Sequence, residues 1–422
     1  MKILFLADNF PPERNAQASR VYERAKYWVK WGNEVTVITC APNFPEGKIY
    51  PGYRNRWYQV EEISGIRVVR VKTFIAANAG TVLRILDFLS YMIMASIAAL
   101  LEGRPAVLAA TSPQFFCAVA GCFVSAVRRI SFVFELSDLW PESIVAVGAM
   151  KRSLAVRALE KMELFMYRRA AAVVALTSAF KENLVHRGIS PRKVAVVLNG
   201  VDLEQYEPQS KNHGLAGEWG IASDEFVVGY LGTHGMAHAL VNVLNCAERT
   251  RGTRIRYLFV GSGAERESLI AQAKQRELTS VTFVPSQPKE RIASFWSLCD
   301  VALIHLKNDP AFASVIPSKI FEAMGMGLPL LIAAPQGEGA RIILEQNSGV
   351  WVPAEDPEAL ANAVLTLEKD RVLLKQLATN SVAAAAKFTR ERQAQEMMTV
   401  FEKVTQGIRD VTLPSRSELP ST

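Results

Sequence analysis

Short β-branched runs alternate with stretches of helical length along almost the whole chain, and the alternation is completed twice. The first series predicts strands at Ile3–Ala7, Glu34–Cys40, Ile66–Val71, Val107–Ala110, Ser131–Leu136, Val173–Leu176 and Val194–Leu198. The second predicts them at Phe226–Leu231, Arg256–Val260, Val281–Val284, Val301–Leu306, Leu330–Ala333 and Val350–Val352. Near-continuous apolar strands joined by helices, such as Ala18–Trp31 before Gly32, are the pattern of parallel sheets covered on both faces. Two such series predict an α/β chain of two doubly wound, Rossmann-like parallel-sheet domains. The turn residues Asn199-Gly200-Val201-Asp202, followed by the polar stretch Glu207–Gly220, mark the break. Ligands of such sheets sit outside the carboxyl ends of the strands, so two facing domains predict one interdomain cleft.

A chain of 422 residues is long enough for about two domains, each with its own core. Its net charge of +7 points to anionic partners: nucleotide phosphates, acidic lipid headgroups or nucleic acid. No basic–aromatic cluster accompanies the charge, which argues against nucleic acid. The five cysteines are scattered without a CxxC pair, which argues against zinc and a disulfide framework and suits a reducing cytosol. Met1-Lys2 runs straight into a strand pattern, so no signal peptide is expected. The longest strongly apolar run, Phe88 to Leu101, has 14 residues, too few for one helix to span a bilayer.

The densest chemical signal is Pro317-Ser318-Lys319-Ile320-Phe321-Glu322-Ala323-Met324-Gly325-Met326-Gly327-Leu328-Pro329. It predicts a loop, a short helix with Lys319 and Glu322 on one face, a glycine stop and a strand. A helix start gathers backbone N–H groups suited to a diphosphate. Lys319 adds a cation, and Glu322, one turn on, can accept two hydroxyl hydrogen bonds from a ribose. The same spacing also suits a surface Lys–Glu pair on an ordinary helix.

This stretch resembles the donor-site signature of the retaining, GT-B-fold glycosyltransferases of family 4. The likeness extends over nearly the whole chain. Ile3–Glu13 with Arg20 resembles the family's first strand and donor-facing loop, Gly32–Thr39 its second strand, and Asn199–Asp202 its interdomain junction. Trp57–Val68 and Phe134–Glu142 are similar to the WbuB-type branch, which builds O-antigens and capsules. The resemblance implies an acceptor-binding domain over residues 1–199 with membrane-facing helices and a nucleotide-sugar-binding domain over 200–388. A crossover helix over 389–406 should return to the first domain, and the Pro- and Ser-containing tail, 407–422, should be disordered.

The resemblance further implies metal-independent, retaining transfer of a HexNAc-type sugar from a donor such as a UDP-sugar to a polyprenyl-diphosphate-linked glycan. No cofactor is implied. No two aspartates are spaced Asp-x-Asp, so a helix start and fixed cations must stabilise the leaving diphosphate instead of a metal. The location implied is cytoplasmic and peripheral on the inner face of a bacterial plasma membrane. Lys319, Glu322, Glu135 and Asp138 are the catalytic candidates, with Glu322 on the ribose. Donor contacts are expected from Ser314, Val315, Ile316, Ser318, Gly232, Thr233, His234, His238 and Asn15, and the base is expected beside Val284-Pro285-Ser286-Gln287.

Three departures bear on that site. The family pairs two glutamates with seven residues between them, and the first position is Ser314 here, so backbone N–H groups around Val315 and Ile316 should replace its sugar contacts. The family's phosphate-binding arginine and lysine fall on Thr233 and His238, which shifts charge neutralisation to Lys319. Asn15-Ala16-Gln17-Ala18 stands where relatives carry paired glycines, so that backbone is less free to approach a phosphate.

Glu135 and Asp138 end a first-domain strand and could position or deprotonate an acceptor hydroxyl, or cap the following helix. Asn9 is a weaker candidate, and Arg20 reads as a solvated helix residue. Gly261-Ser262-Gly263-Ala264-Glu265-Arg266 lacks the third glycine of a dinucleotide fingerprint and reads as a tight strand-to-helix turn. In Met150–Arg169, Leu154, Ala158, Met162 and Phe165 share a face and cations outnumber acids, which suits an anionic membrane surface or a core helix with solvated charges. A UDP-sugar 2-epimerase of the same fold and a non-catalytic GT-B scaffold are the alternative functions.

Overall fold

The computed structural model describes residues 1–13, 15–44, 46–75, 81–112, 114–140 and 153–414. Two compact units emerge, one of Met1–Leu198 with the chain from Arg390, the other of Asn199–Thr389.

The first unit is built on eight strands: β1 (Lys2–Leu6), β2 (Glu34–Cys40), β3 (Tyr58–Ile63), β4 (Ile66–Val71), β5 (Val107–Thr111), β6 (Ser131–Leu136), β7 (Ala172–Ala175) and β8 (Val194–Val196). Their order is β3-β4-β2-β1-β5-β6-β7-β8. All pairs are parallel except β3 with β4. β3 has no counterpart in the sequence reading. It is an edge strand whose residues alternate between exposed and half-buried, so it lacks the continuous apolar run of its neighbours. Ser64 (φ 53°) and Gly65 (φ 76°) form the two-residue left-handed turn that joins the hairpin.

The period-two alternation of β1 divides the core. Ile3 and Phe5 point to one face, Leu4 and Leu6 to the other. The first face is covered by α1 (Ala16–Lys30) and by the last helix, Arg390–Thr405. That helix is locked on by Trp28, whose indole N–H donates to the Ala394 carbonyl at 3.0 Å, and by Arg390 with Glu23 at 2.6 Å. The expectation of a disordered tail is corrected over residues 407–414. Val411 is fully buried in this core and its N–H donates to the Arg192 carbonyl at 2.8 Å, so an apolar side chain and a hydrogen bond hold the segment. The rest of that tail lies outside the described residues.

The other face carries α2 (Thr81–Leu101), α3 (Phe115–Arg128), α4 (Leu154–Arg169) and α5 (Ser178–His186). The reading of a 14-residue apolar run is also corrected here. α2 has 21 residues, and Leu83–Leu101 is long and apolar enough by length and composition to cross a bilayer. The charged Arg84 and Asp87 lie within the helix and do not interrupt it, which is why the run of apolar letters understated it. One face of α2 is nevertheless spent on the sheet, where Tyr91, Ala95, Ala98 and Ala99 are buried.

The second unit has six strands: β9 (Phe226–Leu231), β10 (Ile255–Val260), β11 (Val281–Val284), β12 (Val301–His305), β13 (Leu330–Ala333) and β14 (Gly349–Val352). All are parallel, in the order β11-β10-β9-β12-β13-β14. Its helices include α6 (His213–Glu218), α7 (Val241–Arg249), α8 (Arg266–Gln275), α9 (Lys289–Trp296) and α10 (Lys319–Gly325). The order reverses between β9 and β12, and such a switch point leaves a crevice beyond the strand ends. The residues that follow β9, β10 and β12 are therefore placed where a ligand of this fold class binds.

Candidate functional site

Beyond the switch point of the second unit, three loops are compressed against one another. A Cβ on Gly261 would lie 1.9 Å from the Gly232 carbonyl oxygen, and one on Gly232 would lie 2.8 Å from Lys319 Nζ. Both glycines also have φ near +145° (143° and 149°), which L side chains rarely adopt. The backbone thus brings the 232–234 and 261–263 loops together and leaves room for one lysine head.

Lys319 opens α10, yet it is only 9% exposed. A surface Lys–Glu pair is thereby ruled out. Its ammonium stands 3.8 Å from the centroid of the Tyr230 ring and has no hydrogen-bond acceptor among the described residues. Burial lowers its pKa to about 7, with Glu322 opposing the shift. Glu322 is half-buried one turn later and accepts from the Trp296 indole N–H at 3.5 Å. At the helix start, Ile320 and Phe321 N–H already donate to the carbonyls of Pro317 and Ser318, at 3.1 and 3.0 Å. This narrows the predicted amide cradle, because two of its donors are spent within the turn.

Burial keeps His234, His238 and His305 neutral. His238 Nδ1–H donates to the His305 carbonyl at 3.2 Å, and His305 Nδ1–H returns the bond to the His238 carbonyl at 2.7 Å. His305 Nε2 accepts from the Asn242 amide at 2.8 Å. Burial lowers His238 to about 3 and His305 to about 4, with the Lys319 charge acting in the same direction on both. His234 is fully buried, its ring nitrogens have no partner among the described residues, and burial, then Arg266 and Lys319, lower it to about 4. Lys319 is therefore the cation to which the charge falls on this side of the site, with Thr233 contributing a carbonyl that accepts from Tyr230 O–H at 2.8 Å.

Sequence reasoning missed Tyr230, Glu265 and Arg266. Glu265 Oε2 and Arg266 Nε are buried without hydrogen-bond partners among the described residues, beside the turn that carries Gly261 and Gly263. The signal was present: an arginine and a glutamate entering a helix directly after a glycine-rich turn. Val284 is buried at the end of β11, where its carbonyl accepts from Gly261 N–H at 3.0 Å, and Ser286 is exposed just beyond it.

The Ser314 hydroxyl donates to the Ala311 carbonyl at 2.9 Å and is held within its own 3₁₀ turn. Val315 N–H donates to the Phe312 carbonyl at 3.2 Å, which removes it as the expected sugar contact; Ile316 is buried and Ser318 half-buried.

In the first unit the acceptor assignments change. Glu135 is corrected: it is fully buried, with Arg24 at 2.7 Å and Arg20 at 3.2 Å. Burial alone would raise its pKa, but the two guanidinium groups hold it below the usual carboxylate range. A sealed carboxylate held ionised by two guanidinium groups is a structural counter-ion and no base for a diffusing hydroxyl. Arg20 is corrected with it, being a buried partner of Glu135 and Ser137. Asp138 is half-buried at the end of β6, and the helix it was expected to cap lies outside the described residues. Asn15 caps α1 by accepting from Ala18 N–H at 2.8 Å and donates to Asn9 Oδ1 at 2.7 Å, so its side chain is committed to the fold.

The missed acidic residue is Asp8, at the end of β1. It accepts from Gln17 Nε2 at 2.7 Å, and burial raises its pKa. Asp87 on α2 is raised to about 7 by burial and then by Asp8, and Glu13 to about 7 mainly by burial. Among the described residues no group of three or more His, Cys, Asp and Glu side chains is arranged to hold a metal ion.

Comparison with known proteins matches each unit to one family model. Residues 15–200 match the glycosyl transferase 4-like domain, and residues 215–384 match glycosyl transferases group 1. WcaI of Escherichia coli (strain K12), named for a glycosyl transferase role in colanic acid biosynthesis, is 22% identical over 390 residues, spanning 91% of this chain and 94% of that protein. Among solved structures, sucrose-phosphate synthase from Thermosynechococcus elongatus superposes with a TM-score of 0.77 at 17% identity, covering 96% of this chain and 99% of that one. HepE of Anabaena, in complex with UDP and glucose, gives a TM-score of 0.72 at 18% identity over 95% of this chain and 99% of that one. The chain belongs to the family 4 glycosyltransferases and has their GT-B fold.

Proposed function

We propose that this transferase moves a HexNAc-type sugar, with retention and without a metal, from a UDP-linked donor to a polyprenyl-diphosphate-linked glycan. The setting would be the inner face of a bacterial plasma membrane, in surface polysaccharide assembly of the WbuB type. The observation that carries the donor half is Lys319: a buried ammonium with no hydrogen-bond acceptor among the described residues, at the switch point of a sheet whose order is that of nucleotide-binding folds. A diphosphate would supply the missing acceptors and restore the charge that burial suppresses. Glu322, one turn along, would take the ribose hydroxyls, and Arg266 would add a second cation in place of the family's pair. HepE, a structural neighbour with UDP and glucose bound, supports a nucleotide-sugar ligand for this fold.

As glycosidic oxygen leaves, charge develops on the diphosphate, and fixed cations stabilise it without reorganising. The departing phosphate would then take the acceptor proton on the same face, so no protein nucleophile is required. On the acceptor side Asp8, half-buried just beyond β1 and held by Gln17, would position a hydroxyl in place of Glu135.

The test is a thermal-shift screen of UDP- and GDP-sugars, followed by transfer assays of the best donor onto lipid-linked acceptors with and without EDTA. Stabilisation by a UDP-sugar and EDTA-resistant transfer are the expected results. Stabilisation by no nucleotide sugar would overturn the donor reading, and loss of transfer on chelation would overturn metal independence.

A further inference from the structure

Three exposed rings gather at the carboxyl edge of the first sheet. Phe44 follows β2, Phe74 follows β4, and Trp57 enters β3, which runs antiparallel to β4, so all three lie at the same edge as Asp8. They are 40%, 46% and 67% exposed, respectively, for Phe44, Phe74 and Trp57. Lys48, Arg54 and Arg56 are exposed on the loop between β2 and β3, and Lys72 Nζ stands 4.5 Å from the centroid of the Trp57 ring. The basic–aromatic cluster that the linear sequence does not announce is assembled here, from the loop after β2 and the segment after β4.

The backbone beneath these rings is tied down. The Glu13 carboxylate accepts from the N–H groups of Asn43 and Phe44 at 2.8 and 2.9 Å, and Tyr50 O–H donates to the Phe44 carbonyl at 2.7 Å. The Asn55 side chain bonds both backbone groups of Thr73, at 2.7 and 3.0 Å, which sets the Trp57 loop beside Phe74. Phe74 N–H donates to Ser90 Oγ on α2 at 2.7 Å. Buried Arg70 joins the parts: it donates to the Pro11 and Cys40 carbonyls, pairs with Glu61 at 2.5 Å and lies 4.9 Å from the centroid of the Tyr53 ring. An exposed surface fixed in this way loses little freedom when a ligand covers it. Its charge is positive. Lys48, Arg54, Arg56 and Lys72 outnumber the exposed acids Glu46 and Glu62, and form no ion pair among the described residues.

A pyranose ring presents a face of C–H groups whose partial positive charge suits the negative face of an aromatic ring. A carboxylate on the sugar would meet the guanidinium groups beside it. In a glycosyltransferase the ligand that needs both features is an acidic saccharide. We propose that Phe44, Trp57 and Phe74, with Arg54, Arg56 and Lys72, form a subsite for an acidic sugar residue of the acceptor glycan, set back from the sugar that receives the transferred group. The distance suits that role. In the strand order β4-β2-β1 two spacings separate β4 from β1, about 10 Å, so a glycan with a hydroxyl at Asp8 would lay its next residues over the ends of β2 and β4. The subsite rests on the glycan-acceptor reading and adds to it a charge class and a set of contacts away from the reacting hydroxyl.

Calorimetry on the full chain compares two tetrasaccharides, one alternating glucuronate with N-acetylglucosamine, the other of N-acetylglucosamine alone. The acidic one is expected to bind at least about tenfold tighter, with an affinity that falls as salt rises. Trp57→Ala should weaken its binding about tenfold and Trp57→Phe much less, since stacking needs a ring face and not the indole N–H. Arg54→Ser with Arg56→Ser should remove the preference for the acidic sugar and leave binding of the neutral one unchanged. Each variant should keep the wild-type melting temperature, because these side chains are exposed. Binding of neither tetrasaccharide, or equal binding by wild type and Trp57→Ala, would overturn the subsite. So would a single-stranded oligonucleotide or an anionic vesicle held through Trp57 in preference to the acidic sugar, or a dimer that Trp57→Ala dissociates. An unchanged KM of Trp57→Ala for a lipid-linked acceptor would overturn it too and leave the acceptor reading standing. Trp57-dependent binding of the acidic sugar by a protein that no nucleotide sugar stabilises would support the subsite and refute the donor reading.

Discussion

Binding of a UDP-sugar should take up a proton, and Lys319 should be where it goes. In the free protein burial lowers the Lys319 pKa to about 7, so near neutrality about half the molecules hold a neutral amine. A diphosphate against the amine would bring the pKa back toward its ordinary value of about 10.4. The sign follows from linkage: the bound state holds the proton more tightly, so affinity is highest at low pH and falls as pH rises through the free-state value. With those two values the dissociation constant should rise about tenfold between pH 6 and pH 8, or about 1.4 kcal/mol. Uptake should be about half a proton per ligand at pH 7 and about nine-tenths at pH 8.

A UDP-sugar is the right ligand, because its esterified diphosphate lacks the phosphate ionisation that free UDP titrates near neutrality. Calorimetry in buffers of different ionisation enthalpy reads the uptake directly. The histidines, lowered to about 3 and 4, stay neutral across this window. Asp87 and Glu13, each near 7, do titrate within it, but they belong to the first unit. Lys319→Met removes only the lysine contribution. A flat profile in the wild type, or the same slope in Lys319→Met, would refute the assignment.

The same variant should stabilise the ligand-free fold by about 1–3 kcal/mol, since it removes a buried ammonium. Folding lowers that lysine's pKa, so the penalty is full below pH 7 and fades toward the unfolded value; urea unfolding should show the largest gain on the acid side. Glu322→Ala should weaken UDP binding by about 1.5–3 kcal/mol, the range of hydrogen bonds to a charged group, and should abolish any preference for UDP over its 2′-deoxy analogue. Gly232→Ala places a methyl 2.8 Å from Lys319 Nζ at φ 143°, so it should abolish UDP-sugar stabilisation while lowering the melting temperature, opposite in sign to Lys319→Met. Glu135→Gln should destabilise by about 3–5 kcal/mol by stranding Arg20 and Arg24. Because folding lowers the Glu135 pKa, its contribution is present above the ordinary carboxylate value and is lost as pH falls through the folded one, so wild type and variant should converge in acid.

The strands that were legible in the sequence are those buried on both faces. Phe226–Leu231 announces itself as an unbroken apolar run and Glu34–Cys40 as a mostly β-branched one buried from Val37 onward, and the structure bounds both identically. Tyr58–Ile63 does not, because an edge strand in a hairpin buries little and its pattern is that of a loop. The site divides in the same way. Lys319 and Glu322 are readable because one helix turn fixes their relation locally. Glu135 was misread because a carboxylate at a strand end looks the same whether it faces solvent or a buried cation. Its partners, Arg20 and Arg24, come from a helix more than a hundred residues earlier. Their four-residue spacing, on a helix side that also carries Val21, Ala25 and Trp28, was the available hint, since such a pair on the buried side needs a counter-charge.

The departures from the family pattern acquire a common physical reason in the folded chain. Where relatives have a phosphate-binding arginine and lysine, this chain has Thr233, whose carbonyl holds the Tyr230 hydroxyl, and a neutral His238 bonded reciprocally with His305. Those bonds fix Tyr230 and the loop end, and the Tyr230 ring in turn carries Lys319 on its face. Lys319, which belongs to the signature stretch itself, is then the cation left at this end of the site, set on the Tyr230 ring and beside the open space at Gly232. The lysine head from α10 lies beside the end of β9, where Gly232 holds φ 143° and has no Cβ to press on it. Thr233→Arg keeps the carbonyl that holds the Tyr230 hydroxyl, because that acceptor is backbone, so the support of the ring survives the substitution. In the Lys319→Met background UDP-sugar binding should stay lost if the cation must sit on the Tyr230 face, and recovery of affinity would mean that a cation on the 233 loop serves equally and that the Tyr230 contact has no part in binding.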